Sequence, residues 1–599
     1  MINKRLLNLL GLVAAASMML AACAAPAAPA AAPAAPAEQK PAEKATAAPA
    51  PTDAPKPTEA PAATAGGKTV TLGFQQEPSA LSPYFSVQTF AWWASMLVNV
   101  DLWTYDDKDQ PVLELAEAVP SAKNGGVSAD GKTITIKLKK GLKWSDGQPI
   151  TSADLKFTYE QIMKPENTGI TSRSGWDKID KVATPDELTT VFTFKEVYAP
   201  WQLLFSFTQG SLMPMHVLKD LKTLDGSDWV LKGTVTHGPF KVTEVVKGDR
   251  IVLEANDLYW RGRPKLDKIF IKIVPDRDAL LAGLRAGDVD IGVDFAESNI
   301  PDIEGLKDQL NLFAVPGPAF EHYLFNMGNK WPAALTADQK DKICPFQDLK
   351  VRQAFLYGID RFTIADKLLF GKTKVVAGLW PNSAFEDPEL KPYPFEPEKA
   401  KALLDEAGYK ASADGIRVGK CGGKDAKLSF RHSTTTPNQL RANVQAIVQQ
   451  NLKDIGIEFT PDNKPSDVFF DTFANNGTLT SGGYELGGYT TQFVNGGDPD
   501  PGDNFMISGI PTAEANGGNY YRLEDEELDK LSKEQASVAD PAKRLAIIRQ
   551  MQKVMYDKAY VIPMYARLSV SASTKRVTGL KPGPTTDQVW NPYEWDVTQ

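Results

Sequence analysis

Three carboxylates crowd one short stretch of this chain, Asp498, Asp500 and Asp503, with Pro499, Pro501 and Gly502 between them and Glu485 a little upstream. Oxygen ligands of this kind suit calcium, but the spacing is not that of an EF-hand loop and the prolines stiffen it. Glu485 with Asp498 or Asp500 has the residue types of a glycoside-cleaving acid and base, which must stand roughly 5 to 9.5 Å apart. The histidines, His216, His237, His322 and His432, are scattered without HExxH spacing or a CxxC partner, so neither a metal site nor a cofactor is expected. No GxxxxGK[ST] loop is present, so any nucleotide hydrolysis belongs to another chain. Trp92, Trp93, Trp103, Trp380 and Tyr489 offer flat faces that bury much area at small entropic cost, fit to stack on sugar rings or apolar side chains. The neighbours Trp92 and Trp93 must point to opposite sides, which sends at least one of them into a core.

Elements that could position these groups are visible as periodicity. Thr69 to Phe74 alternates Val70, Leu72 and Phe74 with small or polar residues, the pattern of a strand. Thr133 to Leu138 repeats it after the turn at Asp130-Gly131, and Asp146-Gly147 marks another turn. Thr151 with Asp154 three residues on predicts a capped helix carrying Leu155, Phe157, Tyr159 and Ile162. Ile269 to Val274 reads as a strand, Asp278 to Ala286 as a helix stopped by Gly287, and Val289 to Ile291 as the next strand, a β-α-β rhythm. Helices are also expected at Pro397 to Ala407, before Gly408, and at Leu440 to Ile455, before Gly456.

The first residues give an address. Lys4 and Arg5 precede an apolar run from Leu6 to Leu20, of signal-peptide length, and the run ends in Leu20-Ala21-Ala22-Cys23. This ending resembles the lipobox of bacterial lipoproteins, which implies cleavage before Cys23 and lipid on its sulfur. Ala24 to Gly67 is Ala, Pro, Lys, Glu and Thr without large apolar residues, so it reads as an extended tether. Beyond it, 42% hydrophobic and 23% charged residues indicate a globular body, too long for one compact core. A net charge of -8 argues against a nucleic-acid partner. Cys344 and Cys421 remain as a possible disulfide for an oxidising compartment.

Several segments, taken in order, carry a resemblance. They are Gly141-Leu142-Lys143-Trp144-Ser145-Asp146-Gly147 running into Thr151-Ser152-Ala153-Asp154, then Gly238-Pro239-Phe240, Tyr259-Trp260-Arg261-Gly262-Arg263-Pro264 and Leu284-Arg285-Ala286-Gly287-Asp288-Val289-Asp290. Phe325-Asn326, Val351-Arg352-Gln353-Ala354, Ile359-Asp360-Arg361, Leu403 to Tyr409 and Ile455-Gly456-Ile457 follow. Together they resemble the family 5 extracellular solute-binding proteins of ABC importers, a group that includes dipeptide-, oligopeptide- and nickel-binding proteins.

The resemblance implies an α/β, two-lobed fold of the type II periplasmic-binding-protein kind, with an extra inserted domain and a ligand cleft between the lobes. The expected division is 1–22 signal peptide, 23–67 lipidated cysteine and tether, 68–110 with 200–322 and 565–599 as lobe I, 111–199 as the inserted domain and 323–564 as lobe II. The crossings between lobes are expected near Leu324-Phe325-Asn326 and Val561-Ile562-Pro563-Met564. In the peptide-binding members an aromatic residue after glycine lines the pocket, and an aspartate three residues later pairs with the ligand's amino terminus. Tyr489 matches the aromatic; Gln492 stands at the aspartate position, and a gapped comparison would bring Asp498 or Asp500 there. With Asn495, Trp93 and Trp380 these are the expected ligand residues. The cargo is left open between a peptide and an oligosaccharide. The expected partners are an ABC permease with its ATPase subunits and, through the lipid, a membrane surface, periplasmic or outer. The protein is expected to be a monomer. Against import stand a ligand-presenting sensory role and a secreted glycoside hydrolase.

Overall fold

The computed structural model describes residues 67–108, 110–206, 210–328, 337–494, 497–512, 517–584 and 587–598. The leader, Cys23, the tether up to residue 66, and Asn495 lie outside them.

Ten strands form one large sheet: β1 (Thr69–Phe74), β2 (Phe240–Val246), β3 (Arg250–Ala255), β4 (Lys268–Ile273), β5 (Ile291–Gly292), β6 (Leu310–Phe325), β7 (Ser429–Ser433), β8 (Glu458–Pro461), β9 (Leu486–Thr491) and β10 (Val561–Thr574). Their spatial order is β8-β7-β9-β6-β10-β5-β1-β4-β3-β2. In β1 the period of two is obeyed, with Val70, Leu72 and Phe74 all but sealed from solvent. β1 is parallel to both β4 and β5, and β7 is parallel to both β8 and β9. The long strands β6 and β10 run antiparallel between these two sets and belong to both.

Helices cover the sheet on both faces. Near its β1 end, α1 (Thr89–Val98) packs Phe90, Trp93 and Leu97 against Phe74 and Ile271. In the second half, alternate residues of β6 serve opposite cores. Tyr323 and Phe325 join α2 (Leu349–Gly358) and α3 (Gln439–Asp454), whereas Phe320 and Leu324 join α4 (Glu526–Ala536) and α5 (Pro541–Asp557). A separate antiparallel sheet, 133–137, 189–194 and 179–186, packs with Trp103, Trp144 and Trp176 into its own core. The helix Ser152–Met163 in that region begins with the expected box: Thr151 Oγ1 accepts from Ala153 N–H, and Asp154 Oδ2 accepts from Thr151 N–H at 2.9 Å. Gly287, at φ 80°, closes Arg277–Ala286, a left-handed turn that glycine adopts without strain. Cys344 and Cys421 form a disulfide with Cα atoms 6.0 Å apart.

The ladder of β6 and β10 is continuous from Leu310↔Thr574 to Pro316↔Leu568, shifts register, and resumes at Phe320↔Ala566. The interruption therefore lies at Pro316 to Phe320. Leu324, Phe325, Val561 and Ile562 sit farther along, where β6 already pairs with β9 on its other edge.

Candidate functional site

Register shows where the two parallel sets point. Thr491, the last residue of β9, faces Phe320, the first residue of β6 beyond the interruption. On the other side Phe295, just past β5, donates its N–H to Val570 of β10. Both sets thus aim their C-terminal ends at the same crossing. In open α/β sheets that is where ligands bind, because strand ends leave a crevice lined by loops and free backbone groups.

A network of charges occupies the crossing. Arg567 on β10 donates through Nε to Glu297 at 2.8 Å and through Nη1 to the Thr490 hydroxyl at 2.9 Å. Thr490 in turn donates to Glu321 Oε2 at 2.6 Å. Arg441, in the first turn of α3, grips Glu321 with two bonds of 2.8 and 3.1 Å. Burial alone would raise the Glu321 carboxyl, but Arg441, Arg567 and Thr490 outweigh it and hold the pKa below its ordinary value. The network ties Glu297, which follows β5, to Thr490 on β9 and Arg441 on α3. None of these residues was singled out from the sequence, yet a signal existed. Glu321 sits within Phe320-Glu321-His322-Tyr323-Leu324-Phe325, and a carboxylate inside an apolar strand requires a buried partner.

On the opposite face of β6 and β9 from the network stands an aromatic wall. The Tyr489 ring meets His322 at 4.5 Å, Phe470 at 5.9 Å and Tyr520 at 6.1 Å, each edge to face. Tyr489 is 6% exposed, whereas Phe470 is 48% exposed and presents the free face. Phe470 was missed because its segment, Val468-Phe469-Phe470, reads as a short apolar run of no definite period. His322 accepts or donates at Tyr521 Oη over 3.1 Å, and burial pushes its pKa down to about 4, so the imidazole is neutral.

The remaining expected residues are dispersed. Gln492 is exposed just beyond β9, next to the crossing. Trp93 lies in the α1 core with its indole N–H on Asp587 at 2.8 Å. Trp380 is fully buried and donates to the Pro499 carbonyl at 3.0 Å. Neither tryptophan offers a face to a ligand, because each fills a core that a smaller side chain would leave open. Asp498 is held by Arg544, Asp500 accepts from Gln535 at 2.7 Å, and Asp503 accepts from Gly518 N–H at 3.1 Å. These separate engagements replace the convergent oxygens that calcium needs, and among the described residues no group of three or more His, Cys, Asp or Glu could hold a metal. Glu485 accepts from the backbone and Nε of Arg431 at 2.5 and 3.0 Å. No helix of the described residues is long and apolar enough to cross a membrane.

Known proteins share this architecture. The chain is 27% identical over 553 residues to the oligopeptide-binding protein AppA of Bacillus subtilis, covering 88% of this chain and 91% of the relative. The crystal structure of the ABC transporter substrate-binding protein CtaP of Listeria monocytogenes superposes with a TM-score of 0.73 at 22% identity, covering 89% of this chain and all of that one. The structure of B. subtilis AppA in complex with a nonapeptide gives a TM-score of 0.64 at 24% identity, covering 89% of this chain and 99% of that one. The fold is thus that of the two-lobed periplasmic binding proteins. The profile of the bacterial extracellular solute-binding proteins, family 5 middle region, matches residues 110–508, and with two thirds of its length inside that match the chain belongs to this family of solute-binding proteins.

Proposed function

We propose that this protein captures peptides outside the cytoplasm and delivers them to an ABC import permease. The observation that carries this reading is the convergence of both sets of strand ends on one crossing, where Arg567 joins Glu297 to Thr490, with Tyr489 and Phe470 on the other face of β9. A ligand there touches elements from both lobes, so it favours the closed arrangement by its differential affinity, and closure is what a permease reads. The peptide-binding relatives support that cargo class. Lipid on Cys23 and the proline-rich tether would keep the body near its permease at the outer face of the membrane.

The candidate acid and base are engaged in ion pairs. Glu485 is neutralised by Arg431 and Asp498 by Arg544, which leaves neither available as acid or base. Gln492 also shapes the cargo. Between Leu486 and Val494 no residue is acidic, so this segment provides no charge-assisted bond for a ligand ammonium. Peptides should therefore bind whether or not their amino terminus is free. Calorimetry with free and N-acetylated peptides, and with oligosaccharides of similar size, tests the reading. Binding of both peptide forms within about threefold supports it; exclusive binding of oligosaccharides, or of neither class, overturns it.

A further inference from the structure

A small cavity lies between α5 and the first residues of β10, lined by Arg361, Gly378, Tyr393, Gln552 and Pro563 among others. Arg361 is 1% exposed, yet its partners are backbone carbonyls: Nη1 donates to Pro563 at 2.9 Å and Nη2 to Tyr393 at 2.6 Å. The titratable groups that act on it are Tyr556 and Tyr393, not a carboxylate, and burial pushes its pKa down to about 10. A buried charge held in this way depends on its hydrogen bonds. One of its donors, the Nε–H, reaches no partner within the protein.

Gln552, on α5, faces the same cavity and is also 1% exposed. Its Nε2 donates to the Phe385 carbonyl at 2.9 Å, which fixes the sense of the amide and leaves Oε1 as the other end. That oxygen is buried and reaches no partner within the protein. It lies against the glycine in the wall, where a Cβ on Gly378 would stand only 2.6 Å from it. One cavity therefore presents a sealed donor and a sealed acceptor, and buried polar groups are matched by protein or by ordered solvent.

Size and charge select the occupant. The room is about 10 Å³, roughly the least that one water molecule takes. An anion would meet the lone pairs of Gln552 Oε1, and an ammonium would meet the Arg361 guanidinium. Water alone accepts from the one and donates to the other.

We infer that this cavity is the site of one ordered water, which accepts from Arg361 Nε–H and donates to Gln552 Oε1. The water joins α5 to the guanidinium that holds Pro563 of β10 and the Tyr393 carbonyl. Between Lys372 and Tyr393 the chain forms a strap at the crossing. Lys372 pairs with Glu304 at 2.6 Å, the Thr373 hydroxyl donates to the Ala566 carbonyl at 2.6 Å, and Asn382 Nδ2 donates to the Gly317 carbonyl at 2.8 Å. With Phe385 held by Gln552 and Tyr393 by Arg361, the water completes the inner fastening of that strap.

The test is a high-resolution crystal structure of the full chain, from crystals grown with sodium bromide and measured for the anomalous signal of bromine. A single solvent peak at about 2.7 to 3.2 Å from both Arg361 Nε and Gln552 Oε1, without anomalous signal, is the expected result. A bromide peak would make this an anion site and overturn the inference. So would an empty cavity, a peak bonded to only one of the two atoms, or a direct bond between Arg361 and Gln552. In crystals of Gln552→Leu the peak should vanish, and a peak of unchanged occupancy would likewise overturn it. If that variant fails to fold, the wild-type density decides by itself.

Discussion

Arg544 holds Asp498 by two parallel hydrogen bonds of 2.6 and 2.8 Å, and each residue is only 6% exposed. Gln535 completes the arrangement, accepting from Arg544 Nε at 3.1 Å and donating to Asp500. The loop after β9 is thereby pinned to α4 and α5, and Asp498 is unavailable to a ligand. Removing one partner of a buried pair strands the other charge, so Asp498→Ala should cost about 3 to 5 kcal/mol of unfolding free energy. Replacing both residues, Asp498→Leu with Arg544→Met, should recover much of that in urea titrations. A single variant of full stability but lost peptide affinity would sink the structural assignment.

The two rings of the aromatic wall should respond differently to truncation. Tyr489 is enclosed by His322, Phe470 and Tyr520, so Tyr489→Ala opens a cavity and should destabilise the fold by about 3 to 5 kcal/mol. Phe470, half exposed, contributes little to the core; Phe470→Ala should leave the melting temperature nearly unchanged and weaken peptide binding about tenfold, the loss of about 1.4 kcal/mol of ring contact. Calorimetry and melting curves on the two variants separate the roles. Unchanged affinity in Phe470→Ala removes the wall from the site.

These residues also show what the sequence could and could not reveal. Period-two and period-3.6 patterns together with caps are local, so β1, the Thr151-Asp154 box and the Gly287 stop were legible without partners. The order of motifs sufficed for the two-lobed architecture. Tyr489 and Gln492 were picked out by position in the family pattern, and the structure places the first in the aromatic cluster and the second just beyond β9. Trp93, Trp380 and Asp498 are engaged by Asp587, Pro499 and Arg544, partners that an indole or a carboxylate does not announce in a sequence. Arg567 and Glu297 meet across 270 positions, a distance that no local pattern reports.

Acid should weaken the fold before any carboxylate is lost. Burial pushes His237 and His432 down to about 3 and His322 to about 4, while an unfolded imidazole titrates near 6.5. Below about pH 6.5 the unfolded chain binds protons that the folded one refuses, so stability is full above that pH and falls toward pH 4. Each histidine adds a slope approaching about 1.4 kcal/mol per pH unit. Asp154, Asp498 and Asp587, raised by burial, act in the opposite sense nearer their own range, which makes pH 7.5 to 5.5 the clean window. Melting temperatures should drop steadily across it, and a flat profile would contradict the neutral, buried state of these rings.

The bond between Arg567 and Thr490 offers a direct test of closure. Glu297 and Thr490 lie on opposite sides of the crossing, and Arg567 engages both, at 2.8 and 2.9 Å. If the bonds hold only when the lobes are together, their free energy enters ligand affinity by raising the closed population, because a ligand selects the state in which it touches both sides. A hydrogen bond to a charged group contributes roughly 1.5 to 3 kcal/mol. Thr490→Val, which deletes both the acceptor for Arg567 and the donor to Glu321, should therefore weaken peptide binding about tenfold or more. Arg567→Lys keeps the charge but loses the guanidinium fork, and should fall between wild type and Thr490→Val. Both variants should melt within a few degrees of wild type, since Arg441 still neutralises Glu321. Large losses of melting temperature with unchanged affinity would show instead that the network braces the sheet and takes no part in closure.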